Sequence, residues 1–140
     1  MLGALLCGVE EFLIALPLAA AIETMRPLPT TPIAGAPSFV LGVAVIRGVA
    51  TVVVDAGLLL NGRSSAPERY VTMRVGERVI ALAVKRVIGT RVLPEARELP
   101  PLLRDGPAAA IAALDAELMV VLSELRVVPE DVFARVEATR

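Results

Sequence analysis

From Phe39 to Leu60 the chain is almost wholly apolar and rich in β-branched residues, and the run is broken at Arg47-Gly48, where a full charge and a residue without a Cβ fall side by side. Two buried strands joined by a tight turn or bulge are written this way. A membrane-spanning helix needs a similar length, about 20 apolar residues. It would, however, place Arg47 near mid-membrane and Asp55 near the far end, and Gly42, Gly48 and Gly57 would weaken it. The pattern therefore predicts a strand pair reaching to Leu60 and no direct membrane insertion.

The same punctuation recurs on both sides. Leu2 to Leu6 and Phe12 to Leu16 are apolar runs separated by Cys7-Gly8-Val9-Glu10-Glu11, a hairpin pattern. Residues 17–25 are compatible with helix or strand. Pro27, Pro29, Pro32 and Pro37 then exclude a helix or a central strand and predict an extended connector. Pro29-Thr30-Thr31-Pro32 has the spacing of a polyproline ligand, but a rigid linker is the commoner meaning. The polar segment 61–68 is the clearest internal boundary. Tyr70 to Val75 and Arg78 to Val84 form a second hairpin around Gly76-Glu77, and Val87-Ile88 and Arg91 to Leu93 continue in that style. Pro94 to Pro107 reads as another connector. Residues 108–114 look helical by alanine content, yet Ile111 to Leu114 could instead pair back on Leu118 to Leu122 through a turn at Asp115-Ala116-Glu117. Pro129-Glu130-Asp131 opens a short helix striped by Val132, Phe133 and Val136. Short strands with regular turns predict an all-β barrel or sandwich ending in a short helix.

Composition narrows the chemistry. A chain of 140 residues suits one domain, 1–140, and can bury a core without staples. Aromatic residues are 3% of the chain and the formal charge is −1, which removes both the stacking platforms and the electrostatic footprint of a nucleic-acid binder. There is no histidine and one cysteine, Cys7, so the usual zinc sets and the Ser-His and Cys-His pairs are excluded. No cofactor is implied. Leu5-Leu6-Cys7 superficially resembles a lipoprotein signal, but the preceding stretch is short and carries no basic residue. A cytoplasmic protein with a buried thiol is expected.

Ala36-Pro37-Ser38-Phe39-Val40-Leu41-Gly42-Val43, then Ile46-Arg47-Gly48, then Val52-Val53-Val54-Asp55 resembles the signature of the CheW-like family of bacterial chemotaxis adaptors. The resemblance implies two intertwined five-stranded SH3-like barrels and no enzymatic activity. It further implies coupling of the cytoplasmic tip of methyl-accepting chemoreceptors to a CheA-type histidine kinase. One barrel would meet the kinase's regulatory SH3-like domain, and the groove between barrels would take the receptor's helical hairpin tip, which would recruit the protein to membrane receptor arrays. Mapped onto this sequence, the partner-binding candidates are Glu23, Gly42, Val43, Ile46, Arg47, Gly48, Val84, Lys85 and Val87.

Such an adaptor works through exposed apolar surface rimmed by a few charges, and Arg47, at a turn between strands too apolar to hide it, is the leading rim charge. Glu23 is expected to pair with it across the groove wall. The chain also departs from the family pattern. Val45 stands where asparagine is usual, Val84-Lys85-Arg86-Val87 replaces an acid with a base, and Leu122-Ser123 replaces a Leu-Asp. One alternative is therefore a divergent module that binds one partner only, or pairs with homologous barrels in a multidomain kinase or in a second copy. Another is an enzyme or ligand carrier, which would need a pocket of convergent polar groups.

Overall fold

A computed structural model describes residues 2–10, 12–93, 96–98, 110–114, 117–121 and 128–138. In chain order these form β1 (Leu2–Val9), β2 (Phe12–Pro17), β3 (Ala21–Met25), β4 (Val40–Ile46), β5 (Val49–Asp55), α1 (Ala56–Asn61), β6 (Arg69–Val75), β7 (Arg78–Val84), β8 (Arg86–Leu93), β9 (Ala96–Glu98), β10 (Ala110–Leu114), β11 (Glu117–Val121) and α2 (Glu130–Ala138). A six-stranded sheet runs β8-β1-β2-β11-β10-β9, and a five-stranded sheet runs β3-β6-β7-β5-β4. The first sheet takes strands from both ends of the chain and the second takes its middle, so each half is completed by the other. This is the all-β, intertwined arrangement expected, with β9 adding a sixth strand to one side.

Alternation explains how one strand serves two cores. Along β5 and β7, Val52, Val54, Ile80, Leu82 and Val84 face a main cluster shared with Leu5, Cys7, Val9, Ile14 and Leu16 of β1 and β2. Their neighbours Val53, Ala81 and Ala83 face a smaller cluster with Ala44, Ile46 and Tyr70 inside the curled five-stranded sheet. Residues buried on both faces read as continuous apolar runs, which is why these strands lack a clean polar alternation. α2 lies over the main core with Val132 and Val136 buried. Burying a valine contributes about 1.5 to 3 kcal/mol, so these two outweigh the exposed ion pairs that also hold the helix.

The structure departs from the sequence reading in several places. The apolar run ends as helix, not strand: Asp55 caps α1, and Gly62 closes it with a left-handed backbone, φ 74°. β1 continues through Cys7, Gly8 and Val9 because β8 pairs with it there, so the turn moves to Glu10, φ 53°. Residues 21–25 and 110–114, left open between helix and strand, are strands. Ala110–Leu114 pairs antiparallel with Glu117–Val121, the back-pairing proposed. The connector at 94–107 contains β9, and its other residues, like Leu122-Ser123 and the turn at 115–116, lie outside those described. Cys7 is fully buried, and desolvation pushes its pKa up to about 12, so the thiol serves as core packing.

Candidate partner-binding surface

Arg47 and Gly48 form the two-residue turn between β4 and β5, with φ 53° and 76°. Two consecutive left-handed residues define the turn type that suits strand twist and favours asparagine or glycine at its first position. The turn itself therefore does not ask for arginine. The guanidinium leaves the sheet and forks onto Glu23 of β3, Nε donating to Oε1 at 3.1 Å and Nη2 to Oε2 at 2.8 Å. Glu23 is held in place by a bulge that shifts the β3–β6 register between Ala21 and Glu23, and by its backbone amide bonding Thr72 Oγ1 at 3.2 Å. The hydrogen bond from Arg47 is the main reason that the Glu23 carboxyl is held below its usual pKa and the guanidinium is raised. Arg47 remains 79% exposed.

β3 and β4 are the two edges of the five-stranded sheet, and the ion pair crosses the seam between them. A depression of about 320 Å³ sits in that seam, lined by Glu23, Thr24, Met25, Leu28, Ile46 and Arg47. Three exposed aliphatic residues lie within two positions of the pair along the chain: Ile22 at 48%, Val45 at 69% and Val49 at 45%. An exposed arginine with exposed apolar residues close by in the chain has the composition of a contact hot spot.

The proline-rich connector closes the seam further along. Thr31 exchanges both backbone hydrogen bonds with Val43, at 2.8 and 2.9 Å, and Thr30 Oγ1 meets the Tyr70 hydroxyl at 2.9 Å. Pro29-Thr30-Thr31-Pro32 is thus occupied as a strap. Gly42 makes the strap possible: with φ 144°, a Cβ there would sit 2.0 Å from the Thr31 carbonyl oxygen.

The remaining candidates divide by place. Gly48 belongs to the Arg47 turn, whereas Ile46 is 6% exposed and its side chain packs into the smaller core. Val43 is half-buried against the main core, as is Val87 on β8, and Val84 is fully buried, so the packing accounts for that side chain. Lys85 follows β7, pairs with Glu68 at 3.2 Å and bonds the Gly8 carbonyl through its amide. β5 and β7 run parallel with Asp55 opposite Ala83. Val84 and Lys85 therefore lie at the opposite end of the sheet from Arg47, roughly 20 Å away at about 3.3 Å per residue.

Two features escaped the sequence reading. Leu18 and Val92, 44% and 63% exposed, meet over Gly3: Val92 is opposite Gly3 in the β1–β8 ladder, and Leu18 Cδ1 lies 3.2 Å from where a Cβ on Gly3 would stand. The second is Arg78, which bonds Glu130 at 2.7 Å and Glu137 at 3.1 Å and lies 4.5 Å over the Phe133 ring, tying the β6–β7 turn to α2. Beside it is a depression of about 730 Å³, whose arginine is engaged by both glutamates. Among the described residues no cluster of three acids, cysteines or histidines could hold a metal ion, and no helix is long and apolar enough to cross a membrane.

Two curled sheets, each drawing strands from both halves of the chain and packed on a shared core, define a protein of double-barrel architecture. A model of the CheW-like domain matches residues 3–131, and the chain belongs to that family. Its fold is similar to the crystal structure of the scaffolding protein TtCheW from Thermoanaerobacter tengcongensis, with a TM-score of 0.76 and 19% identity over 87% of this chain and 88% of that one. No curated protein matches the chain.

Proposed function

We propose that this protein is a non-catalytic adaptor of a bacterial chemosensory system, acting in the cytoplasm to couple methyl-accepting receptors to a CheA-type histidine kinase. Family membership supports the scaffold role. The observation that carries the reading to particular residues is the Arg47–Glu23 fork, with Arg47 exposed at a turn whose backbone favours a different residue and with the exposed Ile22, Val45 and Val49 within two positions of the pair along the chain. The Leu18–Val92 patch offers a separate apolar surface of the kind on which a receptor helix lays one face.

Val45 supports a narrower variant of this reading. An aliphatic side chain stands largely exposed two residues before Arg47 where the family pattern has asparagine, which suits a partner surface more apolar than usual. Immobilised full-length protein should retain a purified kinase regulatory domain and, separately, a receptor signalling domain. Retention of one alone would select the single-partner variant, and retention of neither would overturn the adaptor reading.

A further inference from the structure

Among the described residues, the outer edge of β4 carries an unfilled backbone position. Val43 turns its N–H and C=O away from β5 and spends both on Thr31. Ladder alternation then gives Val45, two residues on, the same outward direction. In the antiparallel register that places Thr31 opposite Val43, the residue facing Val45 would be Pro29, which has no N–H to give. The strap leaves the edge there: Leu28 packs into the smaller core and Thr30 turns onto Tyr70. Val45 is left with an outward donor and acceptor that no described residue takes up, below a side chain 69% exposed. Exposed edges of this kind are templates for another strand.

We propose that the β4 edge at Val45 docks an extended, acidic segment of a partner protein by strand addition. The charge around the seam selects the acid. Among the described residues lining the seam, Arg47 and the neighbouring exposed Arg26 face one carboxylate, Glu23, and Glu23 engages Nε and Nη2 of Arg47, leaving Nη1 with no described partner. A carboxylate near the residue that pairs with Val45 would reach that nitrogen. Alternation puts an aliphatic side chain opposite Val45 itself. The inference rests on the adaptor reading and deepens it. Of the two partners proposed, the regulatory domain is a β-barrel with strand edges to offer, whereas a helical hairpin satisfies its own backbone.

The test is amide exchange of the full chain, alone and with the purified kinase regulatory domain, together with the affinities of Val45→Pro and Val45→Thr. Proline removes the outward N–H without costing a ladder bond, as tolerated on edge strands. Threonine keeps the donor and the β-branched shape. Slowed exchange at residue 45 on binding, about a tenfold loss of affinity for the proline variant and a loss under about threefold for threonine would bear the proposal out. Wild-type binding with residue 45 exchanging freely overturns it and leaves the adaptor reading standing, even if the proline variant fails to fold. Tight binding that is indifferent to proline does the same. Wild-type binding to neither the kinase nor the receptor domain overturns the adaptor reading, and this inference with it.

Discussion

The two ends of β5 carry opposite kinds of charge. At one end Asp55 is fully buried and satisfied on every side. Its carboxylate accepts from the amides of Gly57 and Leu58 in α1, at 2.8 and 3.2 Å, from Ser64 Oγ at 3.1 Å and from the Ser65 amide at 3.1 Å. At the other end Arg47, 79% exposed, makes a good fork with the half-buried Glu23. Both belong to the stretch on which the sequence's resemblance to the family rests. Burial separates their roles, because removing a buried acceptor strands several donors at once, whereas water replaces an exposed one.

The largest expected effect is therefore at Asp55. Asp55→Ala should cost about 3 kcal/mol in urea unfolding, through loss of the helix cap and desolvated amides left without an acceptor. A cost below about 1 kcal/mol would put Asp55 in the same class as Arg47 and erase the contrast. Gly42→Ala comes next, at about 2 kcal/mol, because a Cβ there meets the Thr31 carbonyl and φ 144° disfavours any side chain. Amide exchange at Thr31 and Val43 should rise in that variant as the strap lifts.

A smaller effect sharpens the exposed end. The Glu23 carboxyl is held below its ordinary value, first by the hydrogen bond from Arg47. A folded-state pKa below the unfolded one means that the pair's contribution is present at neutral pH and disappears as pH falls through the folded value. Carboxyl-resolved NMR titration should place the Glu23 midpoint lower in the wild type than in Arg47→Ala. Equal midpoints would show the fork to be absent in solution.

Much of this contrast was legible in the sequence, for identifiable reasons. A charge beside glycine inside a β-branched run has little choice but to turn, so Arg47-Gly48 and its strands could be read directly, whereas the acid at Glu23 was matched to Arg47 only through the resemblance to the family. Asp55 gave less away. An aspartate ending an apolar strand looks like any strand end until the amides of α1 and of Ser65 are brought around it, and those contacts come from residues up to ten positions on. The helical fate of Leu58 to Leu60 was hidden likewise, since three leucines suit strand or helix and the cap decides. Val84 matched a motif position and proved to be core, because a pattern of residue types carries no information about which face is enclosed.

The central claim is that the Arg47 turn is working surface and not part of what holds the barrels together. It is tested most directly by measuring, on the same preparation of Arg47→Ala, the thermal midpoint and the affinity for the kinase regulatory and receptor signalling domains. The expected result is a midpoint within about 3 °C of wild type and at least about a tenfold loss of affinity for one of the two partners. Unfolding many degrees lower, with unchanged affinity below that temperature, would contradict it.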